Sequence, residues 1–318
     1  MSQDIHVVIG ASGATGSVIV RELHEAGRRV RAVNRSGRTS VPGGGVEFVG
    51  ADATDPAQMR EVCTGAAVVY NCVNPPFLQW RDAFPAVVDG VLAGAAEAGA
   101  TLVHADNTWM YGTVAAPMTE ATPYRPVSNL GVLRAWLADR ILAAHQRGEV
   151  QAVIGRAGEL FGPRVESTIG RNVFGAAQRG RTVHWLGAVD VPLTPLYIDD
   201  FARGLITLGE REEALGQVWH VPHPEPVTAR QFVGMITAVA GQPVRIIAHG
   251  SRTARALGVV SAIARAGAEM IYQFEQPFVV DGSRFARAFG EKPTGYDDAI
   301  RSTLDWYRAN PGALRLGR

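Results

Sequence analysis

The chain has 318 residues, 47% of them apolar and 19% charged, which is enough to bury a large core and long for one compact domain, so two lobes are expected. Its 31 basic and 30 acidic residues leave a net charge of +1 with no basic stripe, which argues against nucleic acid or an anionic membrane as partner and in favour of small molecules. The two cysteines, Cys63 and Cys72, have neither a zinc-ligand spacing nor a disulfide framework, so free thiols are expected and no metal is implied.

Met1 to Asp4 runs straight into a first strand, Ile5–Ile9, and no apolar run reaches the roughly 18 residues a membrane helix needs. A cytoplasmic protein is expected. The strand gives way to Gly10-Ala-Ser-Gly-Ala-Thr-Gly16 and a helix pattern over Ser17–Ala26. In such a turn Gly10 permits the tight exit from the strand, Gly13 lets backbone approach phosphate oxygens, and Gly16 lets the helix pack closely on the strand. The helix start directs free N–H groups and a positive dipole end at the same place, which favours an anion. Ser12, Ala14 and Thr15 complete the candidate phosphate turn.

Further strands are expected at Val30–Val33, Val46–Val49, Ala67–Cys72, Thr101–Ala105 and Val150–Arg156, with helices at Ala57–Val62, Asp82–Ala98 and Leu130–Gln146. This βα alternation calls for a doubly wound parallel sheet covered on both faces. Beyond Gly158 the pattern loosens. A strand near Thr194–Tyr197, a helix at Asp199–Leu208, a strand near Val218–Val221 and helices at Thr228–Ala240, Thr253–Ala266 and Tyr296–Ala309 are expected, with Pro222–Pro226 as a joint. The resulting division is a dinucleotide-binding core over 1–160, completed by about 193–222, and a smaller, mixed substrate-binding lobe over about 161–192 and 223–318.

The chain resembles the extended short-chain dehydrogenases/reductases, the family that includes nucleotide-sugar epimerases and dehydratases built on a Rossmann sheet. The resemblance rests on Gly10–Gly16, Gly50-Ala-Asp52, Trp109-Met-Tyr-Gly112, Glu120–Pro126, Arg156…Phe161-Gly-Pro163 and Tyr197-Ile-Asp-Asp200, in that order along the chain. It implies that Asp52 bonds the adenine amino group with Ala53 beside it, and that Cys72, Val73 and Asn74 line the path to the nicotinamide. Asp52 also reads as a turn former at a strand end.

The cofactor choice follows from charge. About 20 residues beyond the glycine turn an NAD site places a carboxylate on the ribose; here the second strand ends Asn34-Arg35-Ser36-Gly37-Arg38. Arg35 and Arg38 suit a 2′-phosphate instead, so NADP(H) is expected in preference to NAD(H).

The resemblance fails at the catalytic residues. Family members use Ser or Thr, then Tyr and a Lys four residues on, the last lowering the phenol's pKa. Alignment on Tyr111-Gly112 and Pro126 puts Asn107, Leu130 and Arg134 at those places, and the sole lysine is Lys292. Leu130 exchanges no proton; Arg134 keeps its charge yet can bond a ribose or carboxylate. Candidate catalytic residues are therefore Asn107, Tyr111, Tyr124 and Arg134, with His104 and Asp106 also at the right strand end. Three readings stay open: an oxidoreductase or epimerase/dehydratase-like enzyme with a rearranged acid/base set on a small carbonyl or hydroxyl metabolite, a redox sensor that binds NADP without turnover, and a non-redox enzyme on the same fold. A homodimer is a further possibility. Trp109, Trp136 and Trp185 are expected to pack, and Asp199-Asp200 to cap a helix from Phe201 rather than act as an acid/base pair.

Overall fold

The computed structural model describes residues 4–38, 45–167, 169–250 and 262–314. In chain order the elements are β1 (Ile5–Ile9), α1 (Ala14–Glu25), β2 (Arg29–Asn34), β3 (Val46–Gly50), α2 (Pro56–Val62), β4 (Ala66–Asn71), α3 (Trp80–Ala98), β5 (Thr101–Asp106), α4 (Asn129–Gln146) and β6 (Gln151–Arg156). There follow β7 (Leu160–Phe161), α5 (Arg171–Gln178), β8 (Val183–Leu186), β9 (Pro192–Leu193), β10 (Leu196–Tyr197), α6 (Ile198–Gly209), β11 (Val218–His220) and β12 (Val227–Thr228). The last are α7 (Ala229–Ala240), β13 (Ile246–His249), α8 (Ala262–Glu269), α9 (Ser283–Phe289) and α10 (Tyr296–Ala309).

Two compact units emerge, the first comprising Met1–Met110, Leu130–Arg156 and Phe201–Val221. It holds a parallel sheet of seven strands in the order β11-β6-β5-β4-β1-β2-β3. The order arises because β1, β2 and β3 step one way, after which the chain crosses back to lay β4 on the other flank of β1. The carboxyl ends of β1 and β4 therefore diverge at a topological switch point, the place where open α/β sheets take ligands. Strands such as Val7-Val8-Ile9 and Ala152-Val153-Ile154 are buried on both faces, which is why they read as continuous apolar runs rather than as alternation.

The second unit comprises Tyr111–Asn129, Ala157–Asp200 and Pro222–Arg318. Its core is aromatic: Phe161 stacks on Phe174 at 5.9 Å between ring centres, and Phe232 meets both edge-on. Tyr111–Asn129, read from sequence as core, belongs here because Met118 is bound into this unit, its N–H donating to Val279 and its carbonyl accepting from Asp281. The chain returns to the first unit at Phe201 rather than near residue 193. The single strand expected near Thr194–Tyr197 is two short ones, β9 and β10, since Pro195 lacks the N–H a ladder needs. Helix α6 starts at Ile198, so Asp199 and Asp200 lie in its first turn. The Asp200 carboxylate accepts from the Thr294 N–H at 2.9 Å and hydroxyl at 2.7 Å rather than capping a helix from Phe201. Most of the helix expected over Thr253–Ala266 lies outside the described residues, and its end falls in α8. The sequence reading missed β7, α5, β8, β12, β13 and α9, which lie in the Gly- and Pro-interrupted second half.

Candidate functional site

The glycine turn is built by contacts that tolerate no side chain at two positions. Gly10 sits at φ +85°, a left-handed conformation that favours glycine. A Cβ there would meet Cys72 C and O at 2.7 Å and Val73 N at 2.9 Å, so the loops after β1 and β4 touch backbone to backbone. A Cβ on Gly16 would fall on the Gly10 carbonyl, which is the close helix-to-strand packing expected of it. Gly13 differs. Its φ is −72°, it is exposed, and among the described residues a Cβ would meet only Gly10 O, at 3.3 Å. The fold leaves the space above Gly13 open, and a group approaching from outside is what a side chain there would obstruct.

Gly13 is the N-cap of α1, with no side-chain cap and no acid in the first turn. The first N–H groups of the helix, at Ala14 and Thr15, are thus left to solvent or an anion. Ser12 is exposed beside them. On the other side of the switch point Asn71 Oδ1 accepts from the Val73 N–H at 3.2 Å, fixing the turn through Cys72 and Val73 toward the exposed Asn74. Burial pushes the Cys72 thiol up to about 12, so this cysteine is an inert wall, and both cysteines are free.

Beyond β2, Asn34 organises the loop. Its Nδ2 donates to Arg38 O at 2.6 Å, and its Oδ1 accepts from the N–H and hydroxyl of Ser36 at 3.0 and 2.9 Å. Asn34 O accepts from the Ala51 N–H at 3.0 Å, bringing this loop against the turn after β3. Arg35 and Arg38 project from it exposed, and their guanidiniums make no hydrogen bond or ion pair among the described residues. Asp52 is a turn former: its Oδ1 accepts from the Thr54 N–H and hydroxyl at 2.9 and 2.8 Å. Ala53 is buried, with its carbonyl held against Gly90 of α3.

The ends of β4, β5 and β6 carry a buried polar cluster. His104 Nδ1 lies 3.1 Å from Asn71 Nδ2. Because Asn71 Oδ1 is already occupied, the amide donates to Nδ1 and the imidazole proton sits on Nε2, which has no partner among the described residues. Burial lowers the His104 pKa to about 4, so the ring is neutral at neutral pH. Two residues on, the Asp106 carboxylate accepts from Arg156 Nε at 3.0 Å and lies 3.4 Å from Arg134 Nη1, all three side chains being buried. The Arg134 guanidinium is packed between Trp80 and Phe84, 4.5 and 4.2 Å from their ring centres. The residue expected to grip a ribose is therefore committed inside the first unit, because four residues along α4 from Leu130 the helix faces α3 rather than solvent. Asp106 immediately precedes Asn107, so the two arginines fix the backbone from which Asn107 projects. Asn107 Oδ1 accepts from the Trp109 N–H at 3.1 Å.

Leu130 is half-buried at the start of α4. In the second unit Tyr111 is fully buried and meets the half-buried Tyr124 edge-on at 5.7 Å. Trp109 stacks on Trp80 at 5.2 Å, and Trp185 is buried, but Trp136 is 46% exposed beside Val132 at 55%, one turn apart on α4. Sequence reasoning missed the Asp106–Arg156 pair, although both end neighbouring parallel strands and lie opposite in register.

An uncapped helix start, a turn open above Gly13 and a tethered loop after β4, all at one switch point, define an α/β protein of the dinucleotide-binding Rossmann class. The chain belongs to the NAD dependent epimerase/dehydratase family, whose description matches residues 6–221. Over 88 residues, 22% of this chain, it is 33% identical to a probable mitochondrial saccharopine dehydrogenase-like oxidoreductase of Arabidopsis thaliana, of which the match spans 19%. Among solved structures it is similar to a dTDP-glucose 4,6-dehydratase of Streptomyces venezuelae with NAD bound, at 20% identity and TM-score 0.79 over 98% of this chain and 99% of that one. It is also similar to a UDP-glucuronic acid 4-epimerase of Bacillus cereus in complex with UDP-glucuronic acid and NAD, at 17% identity and TM-score 0.79 over 96% and 99%. No helix among the described residues is long and apolar enough to cross a membrane.

Proposed function

We propose that the protein is an NADP(H)-preferring enzyme of this family that acts on a small carbonyl or hydroxyl metabolite with an acid/base set of its own. The observation that carries the cofactor preference is the pair of exposed guanidiniums at Arg35 and Arg38, without a carboxylate partner among the described residues, on a loop that Asn34 holds in place. A 2′-phosphate offers them charge-assisted bonds that a 2′-hydroxyl does not. Gly10, Ser12, Gly13, Ala14, Thr15 and Gly16 hold the pyrophosphate; Asp52 and Ala53 flank the adenine; Cys72, Val73 and Asn74 border the nicotinamide. When bound, the nicotinamide supplies a hydride or accepts one.

The chain's own contribution is to orient the reacting oxygen. Asn107 has its carbonyl occupied by the Trp109 N–H and its amide NH₂ available to a substrate oxygen. Arg134 and Arg156 act as positioning residues through Asp106, and Tyr111 supports Tyr124 at its ring edge. The test is titration with NADPH and NADH, followed by loss of reduced-nicotinamide absorbance with a panel of simple aldehydes and ketones. Asn107→Ala is expected to lower turnover by roughly 10²–10³-fold, whereas folded Leu130→Ala retains it. Equal affinity for both cofactors would overturn the NADP preference.

A second reading, a sensor that binds NADP without turnover, is favoured by one observation: the two places of the family's proton-transfer pair hold an aliphatic side chain and a guanidinium already committed to Asp106, Trp80 and Phe84. Cofactor binding with no consumption by any carbonyl would select it. The exposed Val132 and Trp136 on α4 suit a homodimer, which sedimentation of the protein and its Trp136→Glu variant tests.

A further inference from the structure

Strands β8 and β13 form a parallel ladder inside the second unit, with Ile247 opposite His184 and His249 opposite Leu186. Side chains alternate along a strand, so His249 shares a face with Ile247 and lies diagonally beside His184. The ladder is held at both ends: the Val183 N–H donates to Arg245 O and the Gly187 N–H to His249 O, each at 2.8 Å. Trp185, between them, is buried edge-on against Phe274 at 5.7 Å, and the Ala188 N–H donates to Phe274 O at 2.7 Å. The backbone under the two histidines is therefore fixed. His184 is exposed and His249 half-buried, so solvent reaches the pair.

His184 Nδ1 and His249 Nε2 stand 2.8 Å apart. Their ring centres are 5.1 Å apart and their planes 21° from parallel, so with nitrogens this close the rings meet edge to edge rather than face to face. One nitrogen donates its proton to the lone pair of the other. Two imidazole nitrogens aimed at one point are also how proteins hold transition ions. Zinc bound at about 2.0–2.1 Å by two imidazoles at a tetrahedral angle puts the nitrogens about 3.3 Å apart and the ring centres about 5.2 Å apart. The centres already have that spacing. Small turns about the side-chain torsions open the nitrogens by about 0.5 Å, and the donor ring moves its proton to its far nitrogen, so that both lone pairs face the ion.

We propose that His184 and His249 form a two-histidine site for a divalent transition ion, Zn²⁺ being the one whose geometry matches the spacing, and that the bound ion clips β13 to β8. The site is independent of the reaction proposed above. No group of three or more His, Cys, Asp or Glu among the described residues is placed to hold a metal, and residues 251–261 contain none of those types. Water therefore takes the remaining positions, which makes the site open and exchangeable rather than a closed structural cage. The two histidines are 65 residues apart in the chain, too far for spacing to announce them, and a clip that closes so long a loop removes chain entropy from the unfolded state. Among the described residues β8 and β13 pair only with each other, and a lone two-stranded ladder is weakly stable, so the clip acts where backbone pairing holds least.

The test uses the full-length protein without a histidine tag, treated with chelator and titrated calorimetrically with ZnCl₂ in a mildly alkaline, non-coordinating buffer. One ion per chain is expected, with the thermal midpoint rising as Zn²⁺ is added. His184→Gln and His249→Gln are each expected to weaken binding at least roughly 10–100-fold, the loss that even an outer-shell partner causes, and to abolish the rise. His24→Gln, which removes a histidine of the first unit, keeps both. Imidazole NMR of the unmodified protein gives a reading that depends on no variant: Zn²⁺ is expected to shift the ring signals of His184 and His249 and leave those of the buried His104 and His220 in place. Absence of binding at millimolar Zn²⁺, binding unchanged in either glutamine variant, or ring signals of His184 and His249 that stay in place overturns the site.

Discussion

Replacement of Gly13 by valine separates cofactor binding from folding, because the three glycines of the turn meet different surroundings. At Gly13 the backbone is already at φ −72° and ψ 171°, which valine adopts readily, and the nearest protein atom to a Cβ is Gly10 O at 3.3 Å. The expected stability cost is that of a poor N-cap residue, about 0.5–1 kcal/mol, or a few degrees in Tm. The isopropyl group would stand over the free N–H groups of α1 and block a pyrophosphate from them. Loss of two charge-assisted hydrogen bonds at about 1.5–3 kcal/mol each corresponds to a roughly 10²–10⁴-fold weaker Kd for NADPH. Gly16→Ala gives the opposite pattern. Its Cβ would strike the Gly10 carbonyl, with Gly10 C at 2.9 Å and Ala11 Cα at 3.0 Å, all backbone that cannot swing aside; a cost of about 1–3 kcal/mol or more is expected. Thermal melts of cofactor-free protein and fluorescence titration with NADPH give both quantities. A folded Gly13→Val protein with unaltered NADPH affinity would refute the placement of the pyrophosphate.

Arg35→Ala is expected to cost about 1.5–3 kcal/mol of NADPH binding and little with NADH, measured in the same titration. Asp106→Ala leaves the guanidiniums of Arg134 and Arg156 buried without their shared carboxylate and should destabilise the fold by about 3–5 kcal/mol in urea unfolding, a loss no surface ion pair would produce. The buried His104, neutral down to about pH 4, sets a pH limb of its own. The unfolded imidazole takes a proton near 6.5 that the folded one refuses, so stability falls as pH drops from about 6.5 to about 4. Melting His104→Asn across that range should show a flatter limb, and an unchanged slope would remove His104 from the account.

What the sequence made legible follows from local physics. The strands Ile5–Ile9 and Thr101–Ala105 and the helix Tyr296–Ala309 announce themselves because apolar period and turn residues act within a few positions. The glycine turn is equally local: its spacing, the strand before it and the helix after it are all in one short stretch. The missing Tyr–Lys pair and the absent acid after β2 are plain facts of composition. The second half is less legible because short strands such as β8 and β13 are defined by each other, 60-odd residues apart, rather than by their own pattern.

Tertiary structure decided how each polar group is spent. Sequence alone offers Arg134 to a ribose as readily as to a core carboxylate; the packing of α3 against α4 places it between Trp80 and Phe84 and commits it to Asp106. His104, Asp106 and Glu159 are all polar residues at or just past strand ends, yet one is a neutral core imidazole, one a doubly paired carboxylate, and one an unpaired carboxyl titrating near 7. Charge and hydrogen bonding depend on distance and on water, both of which are set by residues far apart in the chain, so the type of residue was readable from the sequence and its chemistry only from the fold.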